Sequence, residues 1–137
     1  MVIGIDFDGT CVRHEYPEIG KDIGAIPVLK RIIEYGHDII LFTMRGDLND
    51  DNTLNDAVDW FKSNDIPLFG INKNPTQSDW TNSPKAYCNL YIDDSSLGCP
   101  LIEDTDVSYY NYVDWKKVEI ILTNMGVFGH PEEDEYL

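Results

Sequence analysis

Four acidic side chains stand at or just beyond the ends of apolar runs in this 137-residue sequence, where short buried strands would end. Parallel strands of an α/β sheet bring their carboxyl ends to one edge, so the side chains that follow them share one crevice. A further apolar run, residues 39–42, ends in the hydroxyl of Thr43, which we expect at the same edge. The four carboxylates are those of Asp6, Asp8, Asp93 and Asp94.

Carboxylates gathered this closely imply a bound cation. Like charges a few ångströms apart raise one another's pKa values and destabilise the fold unless a cation neutralises them. The predicted strand ends offer oxygen ligands without histidine or cysteine, and such a donor set favours a hard ion. A site of two or three carboxylates with room for water suits Mg²⁺ better than Zn²⁺, and Ca²⁺ takes more ligands. The sequence therefore predicts a Mg²⁺ site.

The elements that position these side chains alternate between strands and helices along the chain. Apolar, β-branched runs predict strands, and apolar residues at helical spacing predict helices. A turn-rich loop separates the third and fourth strands, and a short fifth strand is indicated at residues 101–102. We predict strands over residues 2–5, 38–43, 67–71 and 86–92, and helices over residues 25–35, 51–64 and 113–125.

This order predicts an α/β fold with one doubly wound, mostly parallel sheet flanked by helices. Hydrophobic residues make up 42% of the chain and charged residues 26%, which is sufficient for one folded core. We expect a single domain over residues 1–137, with a solvated acidic tail from about residue 129.

Charge and composition exclude several classes of function. The formal net charge of −15 repels polyanions, which disfavours nucleic acid as a partner. Membrane association is not expected, because no apolar run reaches the roughly 18 residues that a membrane span requires. The N-terminus also lacks the basic region of a signal peptide, so we predict a cytoplasmic location. The three cysteines lack metal-site spacing and are expected to be free thiols, and an oligomer is allowed by the sequence but not indicated.

Four motifs in this order resemble those of the haloacid dehalogenase superfamily of phosphohydrolases. They are the segment Asp6-Phe7-Asp8-Gly9-Thr10, the strand-end residue Thr43, the lysine Lys85 and the pair Asp93-Asp94. The resemblance spans residues 2–94, about two thirds of the chain. A single D-x-D-G-T segment is moderate evidence, but four ordered motifs on predicted strand ends are far more specific.

The resemblance implies a role for each of these residues. Asp6 would be the nucleophile that forms an aspartyl-phosphate, and Asp8 would be the general acid and base. Thr43 would bind a phosphoryl oxygen through its hydroxyl. Mg²⁺ would be held by the carboxylate of Asp6, the backbone carbonyl of Asp8 and the carboxylate of Asp93, with Asp94 behind them or acting through water.

The resemblance also implies groups that bind the phosphate and substrate. Lys85 would neutralise the nucleophile and the transferring phosphoryl group, although Lys73 is the alternative lysine in this part of the chain. Backbone N–H groups near Gly9 would donate to the phosphate, and Gly9 would allow its close approach. Arg45 would contact a second anionic group of the substrate. His14 falls where relatives carry a small mobile flap, and we expect it to be a solvated loop residue.

The gaps between the motifs bear on the substrate. Neither gap has room for the cap domain that most relatives insert, so the chain resembles a small member without a cap. The resemblance implies a Mg²⁺-dependent phosphomonoesterase acting on a small-molecule phosphate ester. A phosphotransferase using the same residues, and a non-catalytic module that binds metal or phosphate, are the alternatives that the sequence leaves open.

Overall fold

A four-stranded parallel sheet forms the centre of the molecule. The computed structural model describes residues 1–48, 51–103 and 110–129. The strand order is third, second, first and fourth along the sheet, so the N-terminal strand lies in the interior. The strands are β1 (Val2–Ile5), β2 (Asp38–Leu41), β3 (Gly70–Ile71) and β4 (Leu90–Ile92).

The four strands end level with one another. Ile5 at the end of β1 pairs with Leu41 on one side and with Ile92 on the other, and Leu41 pairs in turn with Ile71. Each of these residues is the last of its strand. The residues that follow the strands therefore start from one line along the carboxyl edge of the sheet.

Three helices pack against one face of the sheet. They share a single buried apolar cluster with the odd-numbered side chains of β1 and β2. Register places these side chains on one face, because Ile3 pairs with Ile39 and Ile5 pairs with Leu41. No helix in the described ranges is long and apolar enough to cross a bilayer. The helices are α1 (Ala25–Glu34), α2 (Thr53–Ser63) and α3 (Trp115–Asn124).

The opposite face is approached by the connection between β3 and β4, residues 72–89. This connection runs from one edge strand to the other, because β3 and β4 flank the sheet. Gly4 on β1 faces it closely, since a Cβ there would lie 3.1 Å from Cys88 Sγ and 2.9 Å from the Tyr91 ring. The connection carries a 3₁₀ turn at Gln77–Asp79 and no α-helix. The predicted α/β fold with a parallel sheet and flanking helices is confirmed, and the core is Rossmann-like.

Several predicted elements were wrong in part. The third strand covers only Gly70–Ile71 and not residues 67–71. The segment 86–89 is not strand, because side chains rather than a neighbouring strand accept and donate the hydrogen bonds of its first two residues. Leu101–Ile102 is a strand (β5), but it pairs antiparallel with Tyr112–Val113 (β6) outside the main sheet. The last predicted helix therefore begins at Trp115 instead of residue 113. The acidic tail from residue 130 lies outside the described residues.

Candidate functional site

Three of the predicted acidic residues meet at the carboxyl edge of the sheet. Asp6 follows β1, and Asp93 and Asp94 follow the neighbouring β4. Each of the three offers a carboxylate oxygen, and these oxygens all lie within 4.8 Å of one another. Asp8 is outside this group, so the structure brings together three of the four predicted carboxylates.

A buried hydroxyl joins two of these carboxylates. Thr10 Oγ1 donates to Asp6 Oδ2 at 2.8 Å and lies 3.3 Å from Asp94 Oδ1. The same oxygen accepts the backbone N–H of Asp94 at 3.1 Å. Trp115 at the start of α3 donates its indole N–H to the Thr10 carbonyl at 2.6 Å, which fixes the Thr10 backbone. Thr10 is fully buried, and its position shows why a threonine closes the first motif.

The protein alone holds these carboxylates at an energetic cost. Burial, followed by the hydrogen bond with Asp94 and the charge of Asp93, raises the pKa of Asp6 from 3.8 to about 8. Burial also raises the pKa of Asp93. A cation placed among the three oxygens would lower these pKa values again, because it stabilises the ionised form of each carboxyl group. The all-oxygen donor set and the close approach of its three carboxylates fit a hard divalent cation.

The Asp8 carboxylate is held by Arg45 instead of joining the cluster. Arg45 Nε donates to one Asp8 oxygen and Nη2 to the other, both at 2.7 Å. The remaining guanidinium N–H groups donate to the carbonyls of Pro17, Glu18 and Thr53 at 2.8–3.2 Å. A guanidinium has five N–H donors, and all five are used here. The Arg45 side chain is 1% exposed.

This arrangement corrects the predicted role of Arg45. We expected it to contact a second anionic group of the substrate, but the structure leaves it neither exposure nor a free donor. Its guanidinium also lies over the rings of Phe7 and Tyr16, at 5.0 and 5.2 Å from their centroids. Arg45 therefore orients Asp8 and ties the loop after β1 to the loop after β2.

Thr43 lies at the predicted edge and is held by a residue that the sequence analysis did not single out. Asn72, the first residue after β3, accepts the Thr43 N–H at 2.8 Å through Oδ1. The backbone N–H of Asn72 donates to Leu41 O at 2.7 Å, and its φ of +56° turns the chain away from the sheet. Thr43 Oγ1 accepts the N–H of Arg45 at 3.1 Å. The sequence does contain one signal that Asn72 lies at this edge, which is its position directly after the third predicted strand.

Lys85, and not Lys73, shares a cavity with the carboxylates. A cavity of about 280 Å³ opens at the edge between β1 and β4, and Asp6, Asp93 and Lys85 all line it. Lys73 lines a separate cavity formed by the connection between β3 and β4. The other residues lining the first cavity are Gly4, Phe42, Tyr91, Ile92 and Ser96.

Gly9 allows a close approach, but not as a donor to a ligand. Its N–H donates to Val12 O at 2.7 Å, so this predicted phosphate donor is already used. Among the described residues, no acceptor takes the N–H groups of Phe7 and Asp8. Gly9 has a φ of +82°, and a Cβ there would collide with the Asp94 carboxylate and the ring of His14.

His14 is a second residue that the sequence analysis placed elsewhere. Its Nε2 lies 2.8 Å from Asp94 Oδ2, and its ring meets the edge of the Tyr110 ring at 5.2 Å between centroids. We expected a solvated loop histidine, but the structure brings His14 into contact with the carboxylate cluster. A lone histidine eighty residues before its partner carries no spacing signal from which this contact could be predicted.

Comparison with known proteins supports the fold. A solved structure of a conserved protein from Bacteroides thetaiotaomicron is similar to this chain, with a TM-score of 0.71 and 28% sequence identity over 91% of each chain. No protein-family model and no curated protein matches the sequence. The similar structure therefore establishes a shared architecture over nearly the whole chain.

Proposed function

We propose that this protein is a Mg²⁺-dependent phosphomonoesterase that works through an aspartyl-phosphate on Asp6. The observation that carries the proposal is the meeting of the Asp6, Asp93 and Asp94 carboxylates within 4.8 Å of one another, beside a cavity that Asp6, Asp93 and Lys85 line. Three carboxylates beside an ammonium group suit a metal-bound phosphate ester, whose negative charge needs cations on more than one side. The ordered motifs that resemble those of haloacid dehalogenase phosphohydrolases support the same reaction.

The metal would be held by the carboxylates of Asp6, Asp93 and Asp94, with the backbone carbonyl of Asp8 as a further ligand. When bound, the ion would act as a Lewis acid that draws negative charge from the phosphoryl group. Thr10 keeps Asp6 and Asp94 in place through its buried hydroxyl. A ligand set already gathered by the fold loses little entropy when the ion binds.

In the first step, a carboxylate oxygen of Asp6 attacks phosphorus and the ester P–O bond breaks. The Lys85 ammonium group stabilises the charge on the transferring phosphoryl oxygens, and Thr43 donates its hydroxyl to one of them. The N–H groups of Phe7 and Asp8 have no protein acceptor in the described part of the chain and are available as further donors. The leaving oxygen takes the proton carried by the Asp8 carboxyl group and departs as an alcohol, which leaves Asp8 as a carboxylate.

Asp8 is the group proposed to move protons in both steps. In the second step its carboxylate accepts a proton from the water that attacks the aspartyl-phosphate, and the bond between phosphorus and the Asp6 oxygen breaks to release phosphate. That proton leaves Asp8 with the next alcohol product, so the two steps return it to its starting form. Arg45 acts as a positioning residue, because it holds Asp8 and leaves no donor for the substrate.

A small-molecule phosphate ester is the substrate class that we favour. The short gaps between the motifs leave no room for an inserted cap, and the net charge of −15 opposes binding of a polyanion.

Phosphate release from a panel of phosphomonoesters, with and without Mg²⁺, tests the proposal. Wild type should release phosphate with Mg²⁺, and Asp6→Asn should not. Asp59→Asn, which removes an exposed carboxylate from α2, should behave as wild type. Release that survives in Asp6→Asn would overturn the nucleophile assignment. A wild type that releases nothing from any ester would overturn hydrolysis and favour a phosphotransferase or a binding module.

A further inference from the structure

The side chain of Gln77 is buried beneath the segment that carries Lys85. Gln77 is only 7% exposed, although it lies in the short 3₁₀ turn of the connection between β3 and β4. Its Nε2 donates to the carbonyls of Lys85 at 2.9 Å and Ser83 at 3.2 Å, and its Oε1 accepts the N–H of Tyr87 at 2.7 Å. One carboxamide therefore binds the backbone on both sides of Lys85 and uses both of its N–H donors.

Two other side chains hold the residues that follow Lys85. The hydroxyl of Tyr91 on β4 donates to the Ala86 carbonyl at 2.6 Å. Asn74 is 5% exposed, and its Nδ2 donates to the Tyr87 carbonyl at 3.1 Å. These contacts take the place of a strand ladder, so the path of the backbone here depends on individual side chains.

The side chain of Lys85, unlike its backbone, is held by few contacts. The residue is exposed and lies in neither a helix nor a strand. Its ammonium group lies 5.9 Å from the centroid of the Tyr91 ring, and its side chain reaches the cavity that Asp6 lines. A lysine side chain is flexible, so its backbone must be held if the ammonium group is to stay near Asp6.

We propose that Gln77 is a positioning residue that sets the place of the Lys85 ammonium group beside Asp6. This inference rests on the proposed function, in which Lys85 neutralises the transferring phosphoryl group. The chemistry requires a carboxamide, because the site presents two carbonyl acceptors and one N–H donor to the same side chain. Glutamate would keep the contact with the Tyr87 N–H and lose both donors, and leucine would lose all three hydrogen bonds.

A double-mutant cycle between Gln77 and Lys85 tests the proposal. The measurements are kcat and KM for Mg²⁺-dependent hydrolysis by wild type, Gln77→Leu, Lys85→Ala and the double variant. Gln77→Leu should lower kcat about tenfold or more in wild type, since an electrostatic group is displaced from the phosphoryl oxygens. In the Lys85→Ala background the same substitution should change kcat by less than about twofold, because the group being positioned is gone.

Two further variants separate positioning from loss of fold. Gln77→Glu changes no heavy-atom positions in the side chain and enters the same cycle if Gln77→Leu does not fold. Asn64→Ala is the matched control, because Asn64 also donates its carboxamide to a backbone carbonyl, at 2.7 Å, but at the end of α2. It should leave kcat and KM at wild-type values. Thermal unfolding of each variant reports its folded fraction.

The outcomes distinguish this inference from the proposed function. If wild type shows no Mg²⁺-dependent hydrolysis, the proposed function fails and the role of Gln77 fails with it. If wild type hydrolyses esters but the Gln77 substitution has the same effect with and without Lys85, only the positioning role is overturned. A Gln77 variant with wild-type kcat and KM also overturns that role alone.

Discussion

Metal-free protein should lose stability as the pH rises from about 5 to 8, and Asp6 should account for a large part of that loss. The pKa of Asp6 rises from 3.8 to about 8 on folding, chiefly because the carboxyl is buried. The folded state therefore keeps a proton that the unfolded chain has already released between these values. Fewer protons bound in the unfolded state mean that the free energy of unfolding falls as the pH rises.

The size of this effect follows from the span of pH. Each pH unit across which only the folded state keeps the proton costs about 1.4 kcal/mol, so three units give a ceiling of about 4 kcal/mol. Partial exposure and shared titration with Asp93 lower this figure, and we expect about 2 kcal/mol or more. That is a substantial share of the roughly 5–15 kcal/mol by which domains are stable.

Urea unfolding at several pH values in the presence of a chelator measures the effect. The net charge of −15 adds a general dependence on pH, so the informative quantity is the difference between wild type and Asp6→Asn. Asp6→Asn should lose stability less steeply than wild type, while Asp59→Asn should follow wild type. Wild type and Asp6→Asn could show equal slopes of unfolding free energy against pH. That result would refute the argument that burial and neighbouring carboxylates raise the pKa of Asp6.

Added Mg²⁺ should reverse the loss. A ligand that binds only the folded state stabilises it by mass action, and the ion competes with the proton for the Asp6 carboxylate. The stabilisation by Mg²⁺ should therefore be larger at pH 8 than at pH 5. A stabilisation that does not depend on pH, or that persists in Asp6→Asn, would place the ion elsewhere.

Three further substitutions give distinct results. Arg45→Met leaves the Asp8 carboxylate without its partner and should cost about 3–5 kcal/mol in urea unfolding; a smaller effect than Asp59→Asn would contradict the buried ion pair. Gly9→Ala combines a φ of +82° with a collision against Asp94, so it should lower the melting temperature and weaken stabilisation by Mg²⁺. Thr10→Val removes the hydroxyl that Asp94 also contacts, and it should cost about 1–3 kcal/mol in urea unfolding.

The sheet could be predicted because its interior strands are continuous apolar runs. Residues 2–5 form β1 as predicted, and β2 ends two residues before the predicted limit. The segment 86–89 was predicted as part of a strand over residues 86–92, but side chains 5 to 13 residues away bind the backbone of its first two residues. Periodicity carries no information about such contacts, which depend on the path of a loop.

The site could be predicted as far as strand ends determine it. Asp6, Thr43 and Asp93 follow strands that end level, so topology alone brings them near one another. The partner of Asp8 could not be predicted in this way. Arg45 is two residues beyond Thr43. At that position the sequence is equally compatible with a substrate contact and with a structural ion pair. Only the geometry of the guanidinium group on Asp8 distinguishes the two.

The connection between β3 and β4 determines the surroundings of the carboxylates from both ends. Asn72 begins it and fixes the backbone of Thr43, whereas Lys85 lies near its end and lines the cavity beside Asp6. Between them the connection has no α-helix, and its buried polar side chains include Asn74 and Gln77. The groups proposed to bind phosphate therefore depend on specific carboxamides. Substitution of Asn74 or Gln77 should therefore lower phosphate release strongly. An apolar substitution of similar size in the core beneath the helices should lower it less.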